Sequence, residues 1–599
     1  MLSTYTYPKF ENPGPAEIGQ TIHRPVVVVG AGPVGLSCAI DLAQRNIPVL
    51  LLDDDNTVSV GSRGLCYAKR TLEILDRLGA AGPVCSKGVS WNVGRTFLAE
   101  HEVYRFDLLP QPNHQFPGMV NLQQYYLEEY LLTRARALSC LEIRWQNKVV
   151  AVSRDEASAQ MEVQTPDGSY HVSCDWLLVA DGARSPVRRM LGLDIEGRVF
   201  QDRFLIADVV MKADFPAERW FWFDPPFHPN QSVLLHREAD NVWRIDFQLG
   251  WNVDPEEEKK PEKVIPRIQA MLGPDHAFEL EWVSVYTFQC RRMTQFRHGR
   301  VIFMGDAAHQ VSPFGARGAN SGIQDIDNLG WKLAAVLSGK APQALLDTYD
   351  AERTEAADEN ILNSTRSTDF ITPKSPVSRL FRDSVLQLAR NLGFARGLVN
   401  SGRLSVPTFH AHSSLNTPDQ AGDVFAGRMI PGAPADDAPV LRFNPLATLS
   451  GRAREAVPDP SSSDWLLRYL GGSFVVLVAA SQDPGAQQLL KAVVAWAESL
   501  NTVGVIDLRV LVVHDDWLVA GEKTHGAASF ALAPASDDAG TLVIEHLIDC
   551  KRCLAERYDL KPGSAYLIRP DQHVAARWRS PSQSDIAAAY RRALGHLAH

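Results

Sequence analysis

Residues 26 to 35 of the chain read Val26-Val27-Val28-Val29-Gly30-Ala31-Gly32-Pro33-Val34-Gly35. The valines predict a buried strand, and the apolar residues that recur every three or four positions after Gly35 predict a helix. A second apolar run, Val49 to Leu52, predicts another strand that ends at Asp53. Strand, glycine-rich turn, helix, strand and acid in this order are typical of a dinucleotide-binding unit, so we expect a Rossmann-like α/β fold.

Each glycine of this turn has an expected role. Gly30 permits the tight turn, Gly32 lets the backbone approach a pyrophosphate, and Gly35 lets helix and strand pack closely. Asp53 is placed to accept hydrogen bonds from the hydroxyl groups of an adenosine ribose. The turn alone does not distinguish NAD from FAD.

The composition limits the classes of function. A chain of 599 residues has room for roughly two to four domains. A net charge of −10 argues against nonspecific nucleic-acid binding, and no run approaches the ~20 apolar residues of a membrane span. Residues 1 to 20 lack an apolar core, so we expect no signal peptide and an extended arm on the surface. Eight scattered cysteines predict free thiols and a cytoplasmic protein.

A second glycine-rich stretch, Gly305 to Asn320, follows the apolar run Val301 to Met304. Apolar residues spaced by three and four then predict an amphipathic helix that Asn320 or Ser321 caps and Gly339 ends. Backbone N–H groups and the positive end of the helix dipole would face an anionic or phosphate-like group at this turn.

A third pair of acid and glycine, Asp181-Gly182, ends the predicted strand Trp176 to Ala180. Ligands of α/β proteins bind at the carboxyl ends of parallel strands, so the pair lies where a site is expected. Taken alone, the pair is also an ordinary turn.

Between Phe200 and Arg292 aromatic residues alternate with others, as in Trp220 to Phe223 and Trp243 to Phe247. This pattern predicts an antiparallel sheet inserted into the nucleotide-binding domain. Its aromatic residues build either a hydrophobic core or an apolar ligand pocket with few polar groups. The polar side chains interleaved with them are His236, Arg237, Arg244, Asp246, Gln248, Tyr286 and Gln289.

The C-terminal part of the chain, from residue 405 onward, differs in composition from the part before it. Residues 405 to 437 are rich in Pro, Gly, Ser and Asp and predict a linker. The apolar strands and helices that follow predict a small α/β domain of thioredoxin-like character, which contains Cys550-Lys551-Arg552-Cys553. A redox pair would open the helix after the first strand, and zinc would need a second pair of ligands. We therefore expect structural thiols and no metal site.

The motifs Gly30 to Gly35, Asp181-Gly182 and Gly305-Asp306 occur in this order at large separations. Together with the local sequences of Gly305 to His309 and Gly322 to Lys332, they resemble the flavoprotein aromatic hydroxylases of the p-hydroxybenzoate and phenol hydroxylase superfamily. The linker and C-terminal domain look like those of the larger, phenol hydroxylase-type members. These include the 3-(3-hydroxyphenyl)propionate hydroxylases.

The resemblance covers Val26 to Ala356, and Arg569 to Val574 is the best local match in the C-terminal domain. It implies a non-covalently bound FAD whose ribityl hydroxyls Asp306 would bind. In the family, Asp181-Gly182 contacts both FAD and the passing NAD(P)H. His309 is expected to be structural. The full set of expected cofactor-binding residues is Gly30, Gly32, Pro33, Val34, Gly35, Asp53, Asp54, Ser62, Arg63, Gln124, Val149, Asp181, Gly182, Gly305, Asp306, Pro313, Gly318, Ala319 and Asn320.

The resemblance also implies an activity. Such enzymes hydroxylate a phenolic compound with NAD(P)H and O₂ through a flavin hydroperoxide, and the protein orients and shields the flavin. A phenol reacts better as a phenolate, so we expect a base or a proton relay in the aromatic sheet. The candidates are Tyr286, His236, Arg244 and Gln289.

Three alternatives share parts of these features. Trp220-x-Trp222-x-Asp224-Pro225 resembles a motif of flavin-dependent halogenases, although Asp224 replaces an isoleucine. An NAD-dependent dehydrogenase would use the first glycine motif and leave Gly305-Asp306 unexplained. A non-catalytic flavin-binding protein, with the C-terminal domain serving dimer contacts, would hold FAD without turnover.

The predicted domains follow from these segments, and the extra C-terminal domain favours a homodimer. They are an N-terminal arm (1–24), a discontinuous FAD-binding domain (25–199 and 290–370), a substrate-binding sheet domain (200–289 with part of 91–115), a helical segment and linker (371–437) and a thioredoxin-like domain (438–599).

Overall fold

A computed structural model describes residues 4–12, 17–61, 63–399, 404–443, 463–502, 508–515 and 544–596. The chain divides into two compact units. The first consists of Met1–Pro110, Phe116–Asp327 and Arg353–Val406, and the second of Gln111–Gln115, Asn328–Glu352 and Pro407–His599. Among the helices of these described ranges, none has the length and apolar character needed to cross a bilayer. The domain limits given above stay a prediction.

The secondary-structure elements are numbered in chain order. The strands are β1 (Thr21–Val29), β2 (Val49–Leu52), β3 (Cys66–Ala68), β4 (Val89–Trp91), β5 (Val93–Leu98), β6 (His101–Asp107), β7 (Met119–Asn121), β8 (Leu141–Arg144), β9 (Lys148–Arg154), β10 (Ala159–Thr165), β11 (Gly168–Val179), β12 (Glu196–Val210), β13 (Arg219–Phe223), β14 (Ser232–Arg237), β15 (Val242–Leu249), β16 (Glu279–Arg292), β17 (Arg297–His298), β18 (Val301–Phe303), β19 (His309–Gln310), β20 (Pro439–Phe443), β21 (Asp464–Trp465), β22 (Phe474–Ala479), β23 (Leu508–Asp515), β24 (Ile544–Asp549), β25 (Ala565–Ile568) and β26 (Val574–Trp578). The helices are α1 (Pro33–Gln44), α2 (Lys69–Leu78), α3 (Ala81–Lys87), α4 (Gln124–Arg136), α5 (Pro186–Met190), α6 (Pro255–Glu258), α7 (Pro261–Leu272), α8 (Gly318–Leu337), α9 (Asp347–Ile371), α10 (Pro376–Ala389), α11 (Gly393–Val399), α12 (Pro484–Thr502), α13 (Cys553–Tyr558) and α14 (Gln583–Ala593).

The first sheet is the predicted nucleotide-binding sheet. Its strand order is β17-β18-β11-β1-β2-β8, with the hairpin strands β10 and β9 attached to β11. The strands β18, β11, β1, β2 and β8 are parallel. The three sequence motifs and Asp53 therefore follow the carboxyl ends of neighbouring parallel strands, where α/β proteins bind ligands.

The second sheet is the predicted aromatic sheet, in the order β19-β16-β12-β15-β14-β13-β5-β6. Its pairs are antiparallel except that β13 and β5 run parallel. Side chains alternate between its two faces. One face packs against α7 through residues such as Val264 and Ile268. The other forms an aromatic cluster with α10 and α11 through Leu386 and Val399.

The second unit contains a sheet with the order β21-β20-β24-β23-β22-β25-β26. Its strands β22, β23 and β24 are parallel, and β25 and β26 are antiparallel. The described part of this domain also contains the helices α12, α13 and α14. The thioredoxin-like character stays a prediction.

Two local interpretations were wrong. The N-terminal arm is not only a surface segment, because Tyr5 and Phe10 are buried and Phe10 stacks on Trp145 with ring centroids 4.4 Å apart. Helix α8 begins at Gly318, so Asn320 and Ser321 lie inside its first turn and do not cap it. Burial of aromatic side chains outweighs the polar composition of the arm.

Candidate active site

The first glycine turn is shaped by close packing and leaves one position open. Gly30 has φ +103°, and a β-carbon there would lie 2.4 Å from the carbonyl oxygen of Ala180. A β-carbon on Gly35 would lie 1.8 Å from the carbonyl oxygen of Gly30. Around Gly32 no atom would lie within 4 Å of a β-carbon. Gly32 also precedes Pro33, the first residue of α1. The open side of Gly32 therefore offers a helix N-terminus to an anionic group.

Asp53 fixes this turn from the end of β2. Its Oδ2 accepts a hydrogen bond from Ala31 N (2.5 Å), and its Oδ1 accepts one from Asp55 N (2.8 Å). Burial raises the pKa of Asp53 to about 6, although these two N–H donors act in the opposite direction. Each carboxylate oxygen keeps a lone pair for a ribose hydroxyl. The next residue, Asp54, is exposed.

Asp306 lies open beside the third motif. Gly305 before it has φ +55°, and a β-carbon on Gly305 would lie 3.0 Å from Val34 Cγ2, which brings the two glycine turns together. Burial raises the pKa of Asp306, with the His309 charge opposing this effect, yet its side chain is exposed. A raised pKa and an exposed side chain together fit a carboxylate that lies inside an open cleft. Within the described residues, this carboxylate has no hydrogen-bond or ion-pair partner.

A buried acid holds the Gly305 turn in place. Asp325 Oδ2 accepts hydrogen bonds from Gly305 N (2.9 Å) and lies 2.7 Å from His309 Nε2. Its Oδ1 accepts one from Arg353 Nε at 2.6 Å. Burial would raise the pKa of Asp325, but His309 and Arg353 together hold it below its usual range. His309 is thus held against a buried carboxylate, and its structural role stays a prediction. Sequence reasoning missed Asp325 and Arg353, although Asp325 lies inside the quoted Gly322 to Lys332 stretch.

The start of α8 lies beside Asp306. A β-carbon on Gly318 would lie 3.8 Å from Asp306 Oδ1. Asn320 is buried, and its Oδ1 accepts a hydrogen bond from Ala68 N while its Nδ2 donates to Cys66 O, both at 2.8 Å. The side chain of Asn320 therefore ties α8 to β3. Pro313 is exposed at the start of a short 3₁₀ turn, and Ala319 is half-buried.

The other expected cofactor residues are spread along the same edge. Gln124 Oε1 accepts a hydrogen bond from Gly64 N (2.8 Å), which fixes the loop that carries the exposed Arg63. Asp181 Oδ2 accepts one from Val187 N (3.0 Å), and its Oδ1 is buried without a partner.

Three positions complete this set. Gly182 has φ +77° and open space around it. Val149 is buried in β9, and Asn147 N in the approach to that strand donates to Asp53 O at 2.7 Å. Ser62 lies outside the described residues.

The four catalytic candidates do not all meet. Arg244 is buried and donates from Nε and Nη2 to both carboxylate oxygens of Asp208, each at 2.8 Å. His236 faces Arg244 across the strand pair, and its Nε2 lies 4.0 Å from Asp246 Oδ2. Tyr286 is half-buried, and burial raises its pKa while Arg244 lowers it.

Gln289 follows Tyr286 by three residues on β16. Successive side chains of a strand alternate between faces, so Gln289 points to the face opposite Tyr286. Its Oε1 is buried without a hydrogen-bond partner. The structure therefore does not bring Gln289 to the other three candidates.

Two further acids lie on the face of Arg244 and His236. Glu238 is buried, its carboxylate oxygens make no hydrogen bond, and one lies 3.3 Å from Arg244 Nε. Burial raises the pKa of Glu238 well above its usual range, against the Arg244 charge. Burial raises the pKa of Asp246 to about 6, and its Oδ1 has no partner. Sequence reasoning noted Asp246 as polar but gave neither acid a role.

The same face borders an aromatic pocket with about 390 Å³ of empty volume, part of it open to solvent. Its apolar lining consists of Phe106, Phe221, Phe223, Phe314, Ile371 and Val399, and its polar lining of Arg95, Arg219 and Ser367. Phe314 belongs to the 3₁₀ turn between Asp306 and Gly318. The pocket and the open Asp306 site are thus joined by one short chain segment.

This arrangement defines a Rossmann-like dinucleotide-binding fold. Its site extends from the first glycine turn to the carboxylate of Asp306. The profile described as "FAD binding domain" matches residues 23–364, more than half of the chain, and the chain belongs to this family. The site fits FAD, because Gly32 and Gly182 are open and Asp306 presents an unpartnered carboxylate. FAD is the cofactor, as predicted.

Named relatives confirm the resemblance to aromatic hydroxylases. The chain is 29% identical over 590 residues to "6-methylpretetramide 4-monooxygenase" of Streptomyces rimosus, covering 94% of this chain and 92% of that one. It is 26% identical over 595 residues to "3-(3-hydroxy-phenyl)propionate/3-hydroxycinnamic acid hydroxylase" of Mycobacterium avium (strain 104), covering 94% and 91%.

The fold is that of a solved flavin enzyme. The crystal structure of the flavin-dependent monooxygenase PieE in complex with FAD and substrate matches with a TM-score of 0.74 and 22% identity, covering 96% of this chain and 100% of that one. The chain is thus a homologue of flavin-dependent aromatic monooxygenases, and the halogenase alternative is not favoured.

Proposed function

We propose that the chain hydroxylates a phenolic compound with NAD(P)H and O₂ as co-substrates. The observation that carries this proposal is the aromatic pocket, because Phe314 in its wall lies in the segment between Asp306 and Gly318. Four phenylalanines in the pocket lining offer apolar surfaces against which a planar aromatic substrate would pack. The pocket would hold the substrate ring next to the flavin end of the cofactor site.

The chain's own residues bind and orient the cofactor. Gly32 and the N-terminus of α1 hold the pyrophosphate, Asp53 the ribose and Asp306 the ribityl hydroxyls. The backbone N–H groups from Gly318 onward would hold the flavin, and the helix dipole there would favour negative charge on it. FAD, when bound, supplies hydride acceptance and oxygen activation, which no side chain provides.

Asp246 is the proposed base. Its pKa of about 6 lies close to neutrality, and a general base works best when its pKa is near the working pH. Its Oδ1 is buried and has no hydrogen-bond partner among the described residues, so the proton of a phenol would reach it through an intervening water. Burial, then Arg219 and Arg244, hold the pKa of His236 well below its usual range, so the imidazole is neutral and a weaker base.

Arg244 and Tyr286 have supporting roles. Arg244 is held by Asp208 and cannot accept a proton, so its role is to stabilise the ionised Asp246. Tyr286 keeps its hydroxyl proton, because burial raises its pKa, and can donate a hydrogen bond to the substrate oxygen.

A phenol panel tests the proposal. Purified protein is loaded with FAD, and NAD(P)H oxidation and hydroxylated product are measured in parallel for each phenol under O₂. We expect at least one phenol to stimulate oxidation and to yield product. Bound FAD with oxidation that stays unchanged across the panel would favour the non-catalytic flavin-binding alternative.

Asp246→Asn tests the base. We expect turnover to fall by roughly 10²- to 10⁴-fold, the usual contribution of a general base, with unchanged FAD affinity. His236→Gln is the matched control and should have a smaller effect. Equal losses in both variants would contradict the assignment to Asp246.

A homodimer is also proposed. Large apolar side chains are exposed along α10 and α11, among them Val377, Leu380, Phe381, Phe394 and Leu398. Exposed apolar patches of this kind mark interaction surfaces. We expect Phe381→Glu to halve the mass measured by light scattering. Val424→Glu, at another exposed apolar residue, is the control and should leave the mass unchanged. A wild-type mass of 66.2 kDa, that of one chain, would contradict the dimer.

The cytoplasmic location remains a proposal. It rests on the eight cysteines, all of which are free thiols, as is usual in a reducing compartment. Fractionation of the native host with an antibody to the protein would test it. Recovery in an extracellular or membrane fraction would contradict it.

A further inference from the structure

Arg219 lines the aromatic pocket with a buried positive charge. It is the first residue of β13, and only 6% of its surface is exposed. Among the described residues, its guanidinium makes one hydrogen bond, from Nη2 to Phe314 O at 3.3 Å, and no ion pair. A guanidinium carries five N–H groups, so most of its donors remain available on the side of the pocket.

The neighbouring arginines are already neutralised. Arg95, which also lines the pocket, pairs with Glu218 through Nε at 2.5 Å and with Glu102 through Nη1 at 3.0 Å. Arg244 is paired with Asp208. Arg219, by contrast, makes no ion pair among the described residues, and the Asp246 carboxylate acts on its charge without forming one.

An unpaired charge buried among aromatic side chains is costly, so such a residue is usually completed by a ligand or partner. Arginine stays protonated at neutral pH even where burial lowers its pKa, as it does here. Its planar fork matches a carboxylate, and it also binds a single anionic oxygen. The pocket thus combines an apolar surface for a ring with one cation for an anionic substituent.

We infer that Arg219 binds an anionic oxygen of the aromatic substrate, either a carboxylate substituent or an ionised phenol oxygen. This inference rests on the proposed function, because it assigns the class of substrate to the same pocket. It makes Arg219 a specificity-determining residue.

Matched ligands test the inference on the FAD-loaded protein. The dissociation constants of 3-hydroxybenzoate and 3-hydroxybenzamide are measured from the change in flavin absorbance, for the wild type and for Arg219→Gln. A hydrogen bond to a charged group contributes about 1.5–3 kcal/mol, which corresponds to roughly 10- to 150-fold in affinity. We expect a loss of this size for the benzoate and less than a twofold change for the amide.

A second pair of conditions separates the two sources of charge. Binding of 4-nitrophenol is measured below and above the pH at which its hydroxyl ionises. A preference for the ionised form that disappears in Arg219→Gln identifies the phenol oxygen as the ligand. A loss confined to the benzoate identifies the carboxylate.

Two controls keep the inference falsifiable. Arg219→Lys keeps the charge and should recover part of the benzoate affinity if the glutamine variant folds poorly. Arg95→Gln removes a cation that is already paired and should change benzoate affinity far less. Equal weakening of benzoate, amide and both forms of nitrophenol in Arg219→Gln would overturn the inference.

The inference and the proposed function can fail separately. If Arg219→Gln binds every ligand as the wild type does, while a neutral phenol still gives hydroxylated product, the inference is wrong and the function stands. If the charge preference is present but no phenol yields product, the site binds anionic aromatics and the proposed reaction is wrong.

Discussion

Replacing Asp306 with alanine should weaken FAD binding without destabilising the apoprotein. The carboxylate is open and has no partner among the described residues, so its removal breaks no contact within the protein. It should remove at least one charge-assisted hydrogen bond to a cofactor hydroxyl, about 1.5–3 kcal/mol. The dissociation constant for FAD should therefore rise by roughly 10- to 150-fold.

The pH dependence of the apoprotein gives an independent sign. Burial raises the pKa of Asp306 in the folded state. The folded protein thus favours the protonated acid, and its stability falls as pH rises from the ordinary aspartate range through the raised pKa. Asp306→Ala removes this loss, so its apoprotein should melt at the same temperature as the wild type at low pH and at an equal or higher temperature near neutrality.

Fluorescence titration of apoprotein with FAD and melting curves of the apoprotein at two pH values are the measurements. Asp167→Ala, at an exposed hairpin turn, is the control for loss of a surface carboxylate and should leave FAD affinity unchanged. Unchanged FAD affinity in Asp306→Ala would show that Asp306 does not bind the cofactor. A lower melting temperature of its apoprotein near neutral pH would show that Asp306 has a partner in the protein.

Three further changes follow from the packing. Gly32→Ala has room for its methyl group in the apoprotein, so the variant should fold but lose FAD. In Gly30→Ala the methyl group would lie 2.4 Å from a backbone carbonyl oxygen, so this variant should not fold. The absorbance of bound flavin and melting curves check both variants. The carboxylate of Glu352 forms ion pairs with both Lys332 and Arg569, and all three side chains are buried. Glu352→Gln removes this carboxylate, so the free energy of unfolding in urea should fall by about 3–5 kcal/mol. Replacing the two cysteines of the Cys550-Lys551-Arg552-Cys553 sequence with serine should leave turnover unchanged, and a large loss would revive a redox role.

The local elements of the cofactor site could be predicted from the sequence. The first turn has a short-range cause, since Gly30 and Gly35 are needed by atoms within a few residues or on the adjacent strand. Helix α2 ends before Gly79, which has φ +82°, and a helix of this kind can be predicted because its periodicity and its terminal glycine lie in one short segment.

The supports of the site could not be predicted, because they depend on partners far apart in the chain. Asp325 joins Gly305 and His309 to Arg353, and Asn320 binds the backbone of β3 instead of capping its own helix. The parallel pairing of β13 with β5 is a similar case: part of 91–115 was assigned to this sheet, but the partner strand and its direction were not.

The substrate side was the least predictable. From the sequence, Arg219 is only the first residue of a predicted aromatic strand. The fold is needed to show that the nearby Arg95 and Arg244 already form ion pairs. In the same way, the pKa of Asp246 depends on burial and on Arg244 and Asp208, which the sequence leaves unplaced.

We propose that the chain transfers an oxygen atom from O₂ to a phenolic ring. The most direct measurement supplies FAD-loaded protein with NAD(P)H and a stimulating phenol under isotopically heavy O₂ and determines the mass of the product. We expect a hydroxylated product that contains one heavy oxygen atom. A product without the label, or NAD(P)H oxidation that yields only hydrogen peroxide for every phenol tested, would contradict this proposal.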